Sequence, residues 1–284
     1  MANENIIGID LGGTHARAGV VHDDKIAGMA SVRIPSLGSM EEILQVLYQL
    51  IDPLIGANIK AIGIGVPSVV DIEKGIVYDV QNISSWKEVA LKGLMEERYH
   101  LPVLINNDAN CFALGEKYFG KGQQAHSMIG LIIGTGLGAG VIIHDKLYAG
   151  INCGAGEFGE VAYLDHKYEY YASGQFFENF YGSTGEALFK KAEKGDKQAI
   201  IIFEEFGTHL GNAIKMILYT FCPELIILGG SIRQAYSYFQ KTMWQRIHTY
   251  VYSNTLQHFR IEISDLENSG ILGAAALYYD DQNF

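Results

Sequence analysis

Cysteine is scarce in this chain. Only three occur in 284 residues: Cys111, Cys153 and Cys222 stand alone, which excludes a disulfide framework or a paired-cysteine metal knuckle. A reducing, cytoplasmic setting fits. Positive charge is also in short supply, with 21 Lys and Arg against 32 Asp and Glu and a formal net charge of −11. So acidic a surface attracts neither nucleic acid nor an anionic membrane, and any bound phosphate must be held by local donors and a cation. Long apolar runs are missing too. The N-terminus, Met1-Ala-Asn-Glu-Asn5, has no basic region and no apolar stretch, so no signal peptide is expected. The longest uncharged run, around Met128 to Ile143, is short and broken by glycines, unlike a membrane span. What is present, 48% hydrophobic and 19% charged residues, suits a compact protein long enough for two medium domains.

The most informative stretch is Ile6 to Val21. An apolar run ends on Asp10, turns through Leu11-Gly12-Gly13-Thr14, and resumes as a second apolar strand past Arg17. This predicts a hairpin whose tip suits phosphate. Gly12 and Gly13 can adopt positive φ and lack a Cβ, so successive N–H groups can converge on an anion together with the Thr14 hydroxyl. Asp10 is placed to hold a metal-bound water beside it. An ordinary tight hairpin with a solvated acid is the alternative. The pattern returns at Leu131 to Ile143, where Gly134-Thr135-Gly136 separates two more apolar strands. Two matching hairpins imply two matching domains. Such turns, facing each other across a cleft, would grip one polyphosphate, as in the two-domain α/β fold of actin-like, hexokinase-like and Hsp70-like ATPases (ribonuclease H-like).

Elsewhere, Ser39-Met-Glu-Glu42 reads as a capping box opening a helix with Ile43, Leu47, Leu50, Ile51 and Leu54 on one face. Ile59 to Val66 reads as a buried strand. The loop-rich segment from Val66 to Trp86 interleaves polar groups with one indole, a composition that suits a small polar ligand and equally an ordinary surface loop. A helix is expected from about Lys87 to Tyr99, a strand from Val103, and another helix from Ala109 to about Phe119. Gly115 to Lys121 mimics a Walker A loop, but Gly122 follows where Ser or Thr is needed, so it reads as a helix end. The expected domains are 1–118 and 119–269, with a helix at about 270–284 packing back on the first. Leu225 to Ser231 is a strand with a turn at Gly229 and Gly230, open to an adenine or ribose or simply a tight connection. Asp108, at the carboxyl end of a strand, is the candidate general base, with Asn106, Asn107 and Asn110 to orient polyol hydroxyls. Capping of the following helix is the competing role.

These residues resemble the ROK sugar kinases along essentially the whole chain. Asp10 to Arg17 resembles the family's first phosphate motif, Asn107-Asp108-Ala-Asn110 its catalytic loop and Gly134-Thr135-Gly136 its second phosphate motif. Gly154-Ala-Gly-Glu157-Phe-Gly159 and Glu169-Tyr-Tyr-Ala-Ser-Gly174 resemble the opening and close of its sugar signature. The resemblance implies ATP-dependent phosphorylation of a hexose at its primary hydroxyl, with Asp108 as base and Mg²⁺ near Asp10. Glu157 and Glu169 would accept from ring hydroxyls, Asn82 and Asn107 would complete the pocket, and the protein would be a homodimer. One departure stands out. The family usually has His where this chain has Glu160, followed by a cysteine-rich zinc loop; here the segment to Glu169 contains no cysteine, so no zinc is expected. Three acids and few donors in the pocket would favour an unmodified hexose such as glucose over an acetamido sugar. Loss of the zinc loop leaves open a non-catalytic sugar sensor, and also a polyphosphate donor in place of ATP. A sugar-responsive DNA-binding regulator would need an extension, and the first strand begins too early for one; the sugar-signature acids argue against an actin-like or Hsp70-like ATPase.

Overall fold

Two hairpins and two open sheets organise the chain in this computed structural model, which describes residues 4–80 and 82–282. The expectations for residues 1–3, for Gln81 in the polar loop and for 283–284 lie outside the described residues. The chain begins with β1 (Asn5–Leu11), β2 (His15–His22), β3 (Lys25–Arg33), α1 (Met40–Ile51), β4 (Ile59–Val66), β5 (Val69–Asp71), β6 (Ile76–Tyr78) and β7 (Glu88–Val89). It continues through α2 (Leu91–Tyr99), β8 (Val103–Asn107), α3 (Asp108–Tyr118), β9 (Met128–Ile133), β10 (Leu137–Ile143), β11 (Lys146–Leu147), β12 (Ala162–Tyr163) and β13 (His166–Lys167). There follow α4 (Tyr168–Ala172), α5 (Gly174–Tyr181), α6 (Gly185–Ala192), α7 (Lys197–Phe221), β14 (Leu225–Gly229), α8 (Tyr236–Ile247), α9 (Ser253–Leu256), β15 (Arg260–Ile263) and α10 (Ser269–Gln282).

Contacts divide the chain into two units. The first takes the residues up to Gln124, Gly140–Ala155 and the chain from Asp265 on; the second takes Ala125–Ala139 and Gly156–Ser264. From sequence, 140–155 falls in the second domain, whereas the structure groups it with the first. Close packing on α3 is the reason. A Cβ on Gly140 would come within 2.6 Å of the Ala113 side chain, and Lys117 of α3 pairs with Asp145 at 2.6 Å.

In the first unit the sheet order is β3-β2-β1-β4-β8. β1 and β2 form the expected antiparallel hairpin, and β1, β4 and β8 run parallel. Ser39 caps α1 through a full capping box and the helix buries Ile43, Leu44, Leu47, Leu50 and Ile51. Each such side chain contributes roughly 1.5–3 kcal/mol on leaving water. α10 packs on β1, β4 and α3, made possible by glycines: a Cβ on Gly63 would sit 1.9 Å from the Ala274 carbonyl oxygen and one on Gly273 1.9 Å from that of Cys111. A small antiparallel sheet, β5-β6-β7, lies beyond β4 in sequence. Glu88–Val89 pairs with β6, so α2 starts at Leu91 and not at the expected Lys87. Trp86 is also not where a ligand-facing indole would be: it is fully buried in the core with Val77, Val80 and Ile83.

The second unit is built around the parallel strands β9, β14 and β15, within a sheet ordered β11-β10-β9-β14-β15. The 25-residue helix α7 is capped by Asp196, which accepts from Ala199 N–H, and stops at Cys222 in the left-handed region. α8 lies close against it over Gly207 and Gly211. Phe176, Phe177, Phe203, Phe206 and Phe239 are fully buried. The β12–β13 hairpin is tied down by Tyr163, whose hydroxyl accepts from Asn212 at 2.7 Å and whose ring stacks on Tyr168 at 4.3 Å. Arg246 in turn donates to Asn212 at 2.6 Å. Among the described residues no helix is long and apolar enough to cross a membrane.

Candidate functional site

In the first unit the parallel register brings three strand ends to one edge. Asp10 on β1 pairs with Gly65 on β4, and Gly65 and Val66 pair with Asn106 and Asn107 on β8. The carboxyl edge of a parallel sheet is where open α/β folds receive ligands. Between β1 and β2 the loop Gly12-Gly13-Thr14 is closed by Gly12 N–H donating to the His15 carbonyl at 2.9 Å. The N–H groups of Gly13 and Thr14 have no partner among the described residues, and Thr14 is exposed. Neither Gly12 nor Gly13 takes the positive φ expected of them; what the glycine at 12 supplies is room, since a Cβ there would meet the His15 oxygen at 3.0 Å. Arg17 donates to Asp10 Oδ2 at 2.5 Å, so these two expected phosphate-side residues form a pair.

Asn107 is the N-cap of α3, and Asp108 is its first residue. Ala109 N–H is shared by Asn107 Oδ1 and Asp108 Oδ1, each at 2.9 Å, and Asn107 Nδ2 donates to the Ser68 carbonyl at 3.3 Å. Behind them, buried Asn106 Oδ1 accepts from Asn107 N–H, Asn110 Nδ2 and the Cys153 thiol, at 2.9, 2.9 and 3.1 Å. Burial pushes the Cys111 thiol well up, and the charges of Asp108 and Asp10 add to it. Asn82 lies in an exposed turn with φ 63°.

The second unit gathers the other expected residues. The Gly134-Thr135-Gly136 turn is braced from α4 and α5: Ser173 Oγ donates to the Thr135 carbonyl at 3.0 Å, and Gly174 N–H to that of Gly134 at 2.7 Å. Thr135 and Gly136 keep their own N–H groups without partners among the described residues. Glu169, in the first turn of α4, caps this turn by accepting from Leu137 N–H at 3.0 Å. Gly229 ends β14, and Gly230 follows at φ 81°, where a Cβ would strike the Ile133 oxygen at 2.2 Å. A cavity of about 450 Å³ adjoins the turn, walled by Gly134, Thr135, Phe177, Phe189, Ser231 and Ile232.

Glu160 is exposed and engaged by Lys167, 2.5 Å away, and the same ammonium reaches Glu169 at 3.3 Å. Gln175 Nε2 donates to Glu169 at 2.9 Å. The carboxyl of Glu157 is raised, first by burial and then by Glu160 and Glu169, while Lys167 pulls it down. The donor-poor group of acids expected from sequence is therefore not what forms: an ammonium and an amide stand among the carboxylates. Lys167 and Gln175 carry no motif of their own, and only the fold of the short hairpin and α5 reveals them.

A family comparison matches residues 6–281 to the ROK family. The chain belongs to the ROK family. Among ROK relatives, the glucokinase of Thermotoga maritima is 28% identical over 311 aligned residues, covering 98% of each chain. The xylose repressor of Caldicellulosiruptor bescii is 28% identical, over 98% of this chain and 78% of its own. The crystal structure of a ROK family glucokinase from Streptomyces griseus, in complex with glucose and AMPPNP, superposes with a TM-score of 0.79 at 28% identity, over 96% of this chain and 98% of that one. The Mg²⁺ that the family resemblance implies beside Asp10 would find a donor set there that suits it. Arg17 occupies only one oxygen of Asp10, and Mg²⁺ is commonly held through one carboxylate, phosphate oxygens and water.

Proposed function

We propose that this ROK protein transfers the γ-phosphoryl group of ATP to the primary hydroxyl of a hexose, with glucose the first candidate. The observation that carries this is the repeated turn. Gly13-Thr14 and Thr135-Gly136 each present two adjacent backbone N–H groups unpartnered among the described residues, the arrangement that binds phosphate oxygens without needing a basic side chain. A chain with net charge −11 has few other means of holding a polyanion.

In this reading Asp108 accepts the proton of the attacking hydroxyl, and the open amides stabilise charge spreading over the phosphoryl oxygens. Asp10 would hold Mg²⁺ through water, and the ion would supply further neutralisation of that charge. Glu157 and Glu169 accept from ring hydroxyls, and Asn82, Asn107 and Glu160 complete the sugar contacts; they orient the sugar, and orientation is worth a large share of the barrier. The cavity beside Thr135 favours a nucleoside over polyphosphate. Phe177, Phe189 and Ile232 offer apolar wall, while Glu178, Glu186 and Glu193 would repel a linear polyanion, and the one lysine there, Lys190, is paired with Glu186 at 2.5 Å.

The likeness to a xylose repressor, over 98% of this chain and 78% of that one, supports a second reading, a sugar sensor without turnover. One assay separates them. With ATP, Mg²⁺ and a hexose panel, the kinase reading expects sugar-dependent ADP; saturable sugar binding with no ADP above the sugar-free rate would establish the sensor.

A further inference from the structure

We propose that Lys167 is a substrate-positioning residue of the sugar subsite, its ammonium fixing the Glu169 carboxylate and offering one N–H to an oxygen of the bound sugar. The inference rests on the sugar-kinase reading and adds to it a donor for the sugar.

The argument is a count of donors and acceptors. A carboxylate offers about four lone-pair sites. Three of those on Glu169 are filled, by Leu137 N–H at 3.0 Å, Gln175 Nε2 at 2.9 Å and Lys167 Nζ at 3.3 Å. One site therefore remains for one sugar hydroxyl. An ammonium has three N–H donors, and Lys167 has two of them committed, to Glu160 at 2.5 Å and to Glu169. The third is left on a side chain 35% exposed, close enough to Glu157 for that carboxyl to feel its charge. Acids alone can only accept from a sugar; a hydroxyl oxygen, a ring oxygen or an acetamido carbonyl needs a donor.

The geometry explains why the lysine is held there. It is the last residue of β13, immediately before α4, so its backbone is fixed by the Ala162–Lys167 pairing of the hairpin. Glu160 precedes that hairpin and Glu169 follows it, and the ammonium joins them. Glu169 also caps the phosphate-side turn, where a Cβ on Gly136 would lie 2.6 Å from its carboxylate. Moving Glu169 thus disturbs both the sugar contact and the turn.

The test compares the full-length wild type with Lys167→Met and Lys167→Arg, using glucose and its 1-, 2-, 3- and 4-deoxy analogues. Lys167→Met is expected to raise the KM for glucose about 10- to 100-fold, the range for losing a hydrogen bond to a charged group, with kcat little changed. Lys167→Arg should recover most of the loss. The deciding readout is position-specific: the analogue lacking the contacted oxygen is a poor substrate for the wild type, and the Met variant no longer distinguishes it from glucose. An unchanged glucose KM overturns the proposal. So does a uniform loss across glucose and every analogue, which would make Lys167 a staple of the hairpin only. A wild type that binds and phosphorylates no hexose overturns the kinase reading and this inference together, whereas an active wild type beside an unperturbed Lys167→Met overturns this inference alone.

Discussion

At Ala109 a single N–H is claimed by two side chains, those of Asn107 and Asp108, and this bears on how Asp108 is tested. From sequence, base and cap are competing roles for Asp108; the structure gives the N-cap position to Asn107. Asp108→Asn should therefore lower kcat by roughly 10²–10⁴-fold, while glucose affinity and melting temperature stay close to wild type. Retention of most of the kcat would remove Asp108 from the mechanism. Glu157 gives a second prediction. Its carboxyl is held above its ordinary 4.5 by burial and by Glu160 and Glu169, so it becomes a full acceptor only above that value. The KM for sugar should fall as pH rises through this range, and Glu157→Gln should flatten the profile. The linked effect on stability has the opposite sense: a raised carboxyl favours the fold while protonated, and that contribution is lost as pH rises past its folded value. Asp108 and Glu157 are legible from sequence because each sits in a recognisable motif. Lys167 is not, since what matters about it is a hairpin that returns the chain to Glu160 seven residues earlier.

Among the elements, those announced by strong local signals are found where expected. The two glycine-turn hairpins are such cases, and the Ser39 capping box is another. The segment before α2 is not, because the two-residue strand β7 is held by pairing with β6 and no two-residue window carries a periodicity. Polar composition likewise suggests a ligand loop around Trp86, yet the indole is core; flanking polarity says little about where one large ring turns. The small residues at the start of α10 form a close-packing face. Their energetic weight can be measured. Gly63→Ala or Gly273→Ala places a methyl 1.9 Å from a carbonyl oxygen, and overpacking of this kind costs about 1–3 kcal/mol or more. The urea midpoint should fall accordingly. Gly93, inside α2 with nothing within 4 Å of its added Cβ, is the control, and its change to Ala should stabilise by roughly 0.5–1 kcal/mol. Equal midpoints for all three variants would refute the packing account of α10.

For the whole molecule, the absence of a cysteine cluster leads to a prediction about metal. Cys111 and Cys153 are buried in the first unit, and Cys222 is exposed in the second. Purified protein should carry no stoichiometric zinc, and a chelator should leave its melting temperature unchanged; about one zinc per chain would contradict this. Ligands should act differently. Saturation at about 100 times Kd adds roughly 2.7 kcal/mol to stability, so glucose and a nonhydrolysable ATP analogue should each raise the melting temperature.

The seating of α10 also sets an order of events during synthesis. β1 and β4 are made first, but one face of each is completed by Ile271, Leu272, Ala275 and Tyr279, more than 200 residues further along. At about 5–20 residues per second, the nascent first sheet waits on the order of tens of seconds with that face uncovered. The second unit's segments, by contrast, all precede α10 and emerge ahead of it. Chains ended before Ser269 and held on the ribosome by a linker long enough to clear the exit tunnel should therefore have a protease-resistant second unit and a first unit that proteases still cleave.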